Sequence, residues 1–197
     1  QAERVDVDTI LHGLADGSIV LPANIYHIAP GKVNLTSHFP HPISPCAVGR
    51  GLRTKVNANI GTSLDFGSVD TELEKLRIAI EYGADTVMDL STGPDIPAIR
   101  RAILAHSPVP IGTVPIYQTA AQALEAHGSI VDMTADDLFA TIREQAEDGV
   151  DFMTVHCGIT QTSLGRLKRQ PRVTDVVSRG GSFLIGWMLY HEKENPL

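Results

Sequence analysis

Residues 82–91 read YGADTVMDLS, and residues 148–157 read DGVDFMTVHC. Each stretch places a glycine two positions before an aspartate, then a short run rich in apolar and β-branched residues. Glycine ends helices because it adopts the left-handed backbone conformation without steric cost. Both stretches therefore read as helix end, tight turn and buried strand. A unit of this kind that repeats along a chain, with strands apolar on both faces, builds a parallel sheet covered by helices.

Working outward, strand-like segments recur at TKVNANI (54–60), TVMDLS (86–91), VPIGTVPI (109–116), FMTVHC (152–157) and TDVVSRG (174–180). Helical patterns lie between them. Thr71 and Glu74 fit a capping box that opens a helix carrying Leu73, Leu76 and Ile80 on one face and stopping at Gly83. Asp95 is placed to cap a second helix that tolerates Pro97 in its first turn and buries Ile99 and Ile103. Thr134 and Asp137 open a third that ends at Gly149. YQTAAQALEAHG (117–128) and SFLIGWMLYHE (182–192) supply two more.

Five βα units suit either a doubly wound open sheet or the first part of a (β/α)8 barrel. A complete barrel takes about 250 residues. The chain has 197, and residues 1–50 show no such units, so eight cannot be accommodated. The expected architecture is an incomplete TIM-type barrel of about five units over residues 51–197, or a fragment of a longer protein. Before it comes a short helix, an extended stretch IVLPAN (19–24) and an irregular Pro-rich loop over 30–50.

Composition narrows the function. Net charge is −7 with dispersed basic residues, which argues against nucleic acid as a partner. No apolar run reaches the roughly 18–20 residues that cross a bilayer, and QAERVDVDTI is too polar for a secretion signal. Cys46 and Cys157 are far apart and form no CxxC, which points to reduced thiols and a cytoplasmic protein.

Listing the polar residues at the C-terminal ends of the strands gives Asn57 and Asn59; Asp89, Ser91 and Thr92; Tyr117 and Gln118; His156 and Cys157; and Ser178, Arg179, Gly180 and Gly181. In parallel α/β folds those ends meet ligands. A buried amide or hydroxyl left unpaired costs about 1–3 kcal/mol, so a polar ligand over the sheet ends is the economical explanation. Strand alternation puts Asn57 and Asn59 on one face and Val56, Ala58 and Ile60 on the other, toward the helices. Blander readings stand beside this one. The asparagines could satisfy loop backbone, His156 could be a core histidine, and Cys157 reads best as a small buried apolar residue. SRGG (178–181) could be a plain strand-to-helix turn, although its N–H groups beside an arginine also suit a phosphate. FLIGWMLY (183–190) reads as packing. His27, His38 and His41 are too scattered to read as a metal site.

Together, KVNANIGTS, GADTVMDLSTG, SPVPIGTVPIYQ, FMTVHCGIT, VVSRGGSF and ENPL, in this order and spacing, resemble the phosphomethylpyrimidine synthase (thiamine pyrimidine synthase) family. LPAN (21–24) is similar to that family's leading segment. The resemblance covers about residues 50–197. It implies a radical S-adenosylmethionine enzyme on a (β/α)8 barrel, using a [4Fe-4S] cluster and a divalent metal (zinc). The implied reaction, a carbon–carbon lyase reaction, rearranges 5-aminoimidazole ribonucleotide to 4-amino-5-hydroxymethyl-2-methylpyrimidine phosphate, with loss of formate and carbon monoxide. Substrate contacts carried over by motif fall on Asn59, Met88, Tyr117, His156, Ser178, Arg179 and Gly180. Met88 is outside the strand-end set, and alternation sets it opposite Asp89, so one of the two is misassigned unless the strand bulges.

The family's cluster cysteines and metal-binding histidines belong to a C-terminal region without counterpart here, so the chain by itself is expected to be inactive. The resemblance also implies a homodimer in the full-length enzyme. Two further functions fit the same residues. One is the paralogous 5-hydroxybenzimidazole synthase of anaerobic cobamide biosynthesis, which takes the same substrate. The other is a non-catalytic ribotide-binding module.

Overall fold

The computed structural model describes residues 3–28 and 43–197, with Ile28 described by its backbone alone. Part of the Pro-rich loop, with His38 and His41, lies outside the described residues. The chain divides into two units, residues 1–113 with 146–152 and residues 114–145 with 153–197.

The first unit opens with α1 (Val7–Asp16), capped by the Asp6 carboxylate, which accepts from Thr9 N. A short strand β1 (Ile19–Val20) and helix α2 (Ile25–Ile28) follow, and β1 pairs antiparallel with β2 (Val48–Gly49). The extended stretch IVLPAN thus acquires a partner that its sequence does not announce.

The repeated βα pattern builds the sheet. Its strands are β3 (Asn57–Ile60), β4 (Thr86–Asp89), β5 (Ile111–Thr113) and β6 (Phe152–Met153), in that order, and β3–β4 and β4–β5 are parallel. Helix α3 (Val69–Glu81) follows β3 and α4 (Ile96–His106) follows β4, and the two helices pack together. Leu76, Ile99, Ile103 and Leu104 on these helices, with Val87 and Ile111 on the strands, are buried. Each such aliphatic side chain contributes roughly 1.5–3 kcal/mol by leaving water.

The two quoted stretches behave alike. Gly83 and Gly149 have φ of 89° and 103°, the left-handed turns that the pattern requires. The aspartate two residues on then grips the start of the neighbouring strand. Asp85 N donates to Val56 O and its Oδ2 accepts from Val56 N, both at 2.8 Å. Asp151 N donates to Ile111 O at 2.9 Å and its Oδ2 accepts from Ile111 N at 2.8 Å. Arg53 pairs with Asp85 and holds its carboxyl below the usual carboxylate range.

In the second unit, α5 (Pro115–His127) is followed by a 3₁₀ turn (Ile130–Asp132), α6 (Ala135–Glu147, its last residues in the first unit), α7 (Gln161–Arg169) and α8 (Arg179–His191). Leu184, Trp187 and Met188 of α8 are buried, and Trp187 Nε1 donates to Met133 O at 2.7 Å. The FLIGWMLY stripe is packing on that face, while Leu189 and Tyr190 are exposed. Among the described residues there are eight α-helices, none long and apolar enough to cross a membrane.

Several expectations are corrected. The cap of α3 is Ser68, whose extended backbone lets its Oγ accept from Thr71 N, and Glu74 is engaged by Arg77 instead. VPIGTVPI is a strand only over 111–113, because Pro115 starts α5 with a φ preset for a helix. FMTVHC is extended in a ladder only at 152–153. TDVVSRG forms no strand. Asp175 is left-handed (φ 52°), which breaks the extended run, and Val173 and Val177 stay exposed. The sheet of the described residues therefore has four strands where five were expected. Helix α7, with a reciprocal Thr160–Ser163 capping box, was not expected from the sequence.

Candidate functional site

Two groups of candidate residues form, one in each unit. In the first, β3 presents Asn57 and Asn59 on one side, both exposed, and turns Ile60 to the buried side. Asn57 Nδ2 donates to Asn59 Oδ1 at 3.0 Å, and Thr86 Oγ1 donates to Asn57 Oδ1 at 2.9 Å. Asn57 is thereby held by its neighbours, which leaves the Asn59 amide nitrogen as the outward donor. Val56 precedes the strand and is exposed, contrary to the alternation reading.

The β3–β4 register shows which of Met88 and Asp89 shares the asparagine face. Asn59 lies opposite Met88 and Ile60 opposite Asp89. Paired residues of a parallel ladder face the same side, so Met88 shares the asparagine face, half-buried, without any bulge. Asp89 points the other way and is buried. Its Oδ1 accepts from Ser91 N at 2.9 Å and Ser91 Oγ at 2.5 Å. Burial pushes its carboxyl above the usual range, against the Ser91 hydrogen bonds. Ser91 Oγ also accepts from Thr62 N, and Thr92 Oγ1 donates to Thr62 O. Asp89, Ser91 and Thr92 therefore tie the loops after β3 and β4 to each other.

In the second unit the N-terminus of α8 is the organising feature. Ser178 is its cap, and its Oγ accepts from Gly181 N at 3.2 Å. The first i to i−4 bond runs from Ser182 N to Ser178 O, so the N–H groups of Arg179 and Gly180 stand before the helical ladder. The same Ser178 Oγ lies 2.9 Å from His156 Nε2. Gly180 is buried against the imidazole, and a Cβ there would overlap His156 Cε1. Burial pushes the His156 pKa below its ordinary value, so the ring is neutral near pH 7. His156 Nδ1 is buried and without a hydrogen-bond partner among the described residues.

Tyr117 enters from the first turn of α5, its N–H donating to Val114 O. The Arg179 guanidinium carbon lies 5.4 Å from the centre of the Tyr117 ring, and Phe183 packs edge-on against the same ring at 6.3 Å. Among the described residues Arg179 makes no ion pair. Its charge rests on an aromatic face at a helix N-terminus, the arrangement that suits an anion.

Two other strand-end candidates go elsewhere. Gln118 is buried, donating to Glu144 Oε2 and accepting from Gln145 Nε2. Cys157 is exposed, not a buried apolar residue, because its strand ends at Met153. His27 is buried and bonded through Nδ1 to Asp151 Oδ1 at 2.7 Å.

Comparison with known proteins follows from these residues. The model of the radical SAM ThiC family matches residues 1–197. A phosphomethylpyrimidine synthase of Moorella thermoacetica is 53% identical over 195 residues, 99% of this chain and 42% of that protein. A phosphomethylpyrimidine synthase of Dehalococcoides mccartyi is 53% identical over the whole chain and 43% of its own length. One from Thermodesulfovibrio yellowstonii is 57% identical over 87% of the chain and 40% of its own length. The chain thus spans less than half the length of the curated relatives it matches.

Proposed function

Because the chain belongs to the radical SAM ThiC family, we propose that it supplies the ribotide-holding part of a phosphomethylpyrimidine synthase acting in thiamine biosynthesis. The substrate is 5-aminoimidazole ribonucleotide. The observation that carries this reading is the α8 N-terminus, where Arg179 rests on Tyr117 while Ser178 pairs with His156.

The roles follow from chemistry. Arg179 and the N–H groups at the start of α8 hold the phosphate by charged hydrogen bonds. His156 and Ser178 act as a pair toward the ribose or aminoimidazole, their shared hydrogen bond exchanged for bonds to substrate. Tyr117 places the guanidinium and offers its hydroxyl. In the first unit, the Asn59 amide is a donor of the kind a base needs, and Met88 beside it is an apolar neighbour. These contacts orient the ribotide and keep water from it; the family's S-adenosylmethionine and iron–sulfur chemistry supplies the reactivity.

A [4Fe-4S] cluster is held by cysteine thiolates. Here Cys46 is buried, with its thiol pushed up by burial, Cys157 is exposed, and they fall in different units. These residues do not fit a cluster. Among the described residues no group of three or more His, Cys, Asp or Glu is placed to hold a metal ion. The family resemblance assigns the cluster and zinc ligands to the part of the relatives' length that this chain does not span. That part also completes residues 51–197 as a (β/α)8 barrel, in a cytoplasmic homodimer.

Titration of cluster-free full-length protein with 5-aminoimidazole ribonucleotide tests the binding reading. Saturable binding that Arg179→Ala weakens supports it, and binding indifferent to both Arg179 and His156 overturns it. Product analysis of the loaded enzyme separates pyrimidine from benzimidazole synthesis, and the names of the relatives favour the pyrimidine.

A further inference from the structure

The motif ENPL (194–197) has no part in the contacts assigned above, yet it holds the loop that carries His156. Asn195 Nδ2 donates to two carbonyls, His156 O at 2.9 Å and Ile159 O at 2.8 Å. Its Oδ1 accepts from Leu197 N at 3.0 Å. Both hydrogens of the amide and its oxygen are engaged, so the side chain has one orientation. The turn it spans is closed by Ile159 N donating to His156 O at 3.3 Å. Neighbouring groups reinforce the grip. The Glu194 carboxylate accepts from Gln161 N at 3.0 Å and from Asn195 N at 3.0 Å, and Gln161 Nε2 donates to Lys193 O at 3.1 Å.

We infer that Asn195 is a positioning residue that sets the His156 imidazole against Ser178 and Gly180 by clamping the 156–159 turn, and this rests on the ribotide reading of His156. The need for a clamp is physical. No ladder holds His156, since β6 ends at Met153. Among the described residues its ring makes one side-chain hydrogen bond, to Ser178. A residue outside regular structure, with one buried ring nitrogen unpartnered among the described residues, keeps its place only if the backbone beneath it is fixed. Asparagine suits the role because one NH2 group serves two carbonyls. Aspartate has the same shape and no hydrogens to give.

The test uses cluster-free full-length protein. Hydrogen exchange of the amides over 156–161 is measured in wild type, Asn195→Ala and Asn195→Asp. Affinity for 5-aminoimidazole ribonucleotide is measured in the same proteins and in a cycle with His156→Ala. Faster exchange in both variants, with affinity about tenfold weaker in the wild-type background and unchanged by Asn195→Ala once His156 is removed, supports the inference. Unchanged exchange overturns it, because the clamp then carries no weight. Faster exchange with equal loss of affinity in both backgrounds also overturns it, leaving a purely structural residue. If His156→Ala itself leaves affinity intact, the ribotide reading fails and takes the inference with it; the exchange data still show whether the clamp exists.

Discussion

His156 fills the space that a side chain at Gly180 would need: a Cβ built there lies 2.8 and 2.9 Å from the two ring nitrogens and overlaps the carbon between them. Glycine at 180 is thus required by the neighbouring imidazole, independently of any ligand. Gly180→Ala should push the ring off Ser178 and, on the proposed reading of this site, weaken ribotide binding by more than tenfold, with a small fall in melting temperature. Titration calorimetry beside thermal unfolding checks this, and binding at the wild-type level would refute it.

Arg179 is the cation for which the α8 N-terminus has no acidic partner among the described residues. On the proposed reading of this site, Arg179→Ala should weaken ribotide binding about ten- to a hundredfold. Arg179→Lys should recover only part of the loss, because an ammonium cannot chelate a phosphate bidentately. Titrating all three proteins at two salt concentrations measures both effects.

The His156 pKa lies below its ordinary value of 6.5 because burial disfavours the imidazolium. The unfolded chain therefore takes up a proton before the folded one does. The stability associated with neutral His156 is fully present above about pH 6.5 and is lost as pH falls through the folded value. His156→Asn should remove this dependence, so the stability gap between the two proteins should change between pH 7.5 and 5. Urea unfolding across that range reads it, and a constant gap would contradict the assignment.

Asp89 has the opposite sign. Its carboxyl is raised by burial, so its contribution is present below the ordinary carboxylate value and is lost as pH rises through the raised one. Asp89→Asn keeps an oxygen to accept from Ser91 and has no charge to bury. Relative to wild type, the variant should become more stable from pH 4 to pH 7, as followed by melting temperature.

Asp151 accepts from Ile111 N, Asn24 N and His27 Nδ1 with its side chain fully buried. Asp151→Ala removes the acceptor those groups share at the start of β5 and should cost about 2–5 kcal/mol. Chemical denaturation measures the loss. A comparable cost for Asp85→Ala would argue against burial as the deciding factor, since its partner Arg53 is half exposed.

Much of the candidate site was legible from residue type and position. Arg179 and the glycine pair after Ser178 announce a helix N-terminus with a positive charge, and His156 announces itself by lying next to a strand. The aspartates after Gly83 and Gly149 were visible as a repeat, although their grip on neighbouring strands was not. The misreadings share a cause. VPIGTVPI, FMTVHC and TDVVSRG all have strand composition, but a strand exists only where a neighbour accepts its hydrogen bonds, and a left-handed Asp175 or a helix-starting Pro115 ends the run. Gln118 looked like a strand-end donor and became a buried link to Glu144 and Gln145, because the helix begins three residues before it.

The amino-acid sequence by itself determined the alternation of helices with parallel strands, the turns at Gly83 and Gly149, and which polar residues are candidates for chemistry. These depend on local backbone preferences and on periodicity within a few residues. Only the tertiary structure decided that Met88 and not Asp89 shares a face with Asn59, that Gly180 is held open by His156, and that Asn195 reaches back to the 156–159 turn. Each of those facts is a register or a contact between residues far apart in the chain, and such contacts arise only from the packing of whole elements against one another.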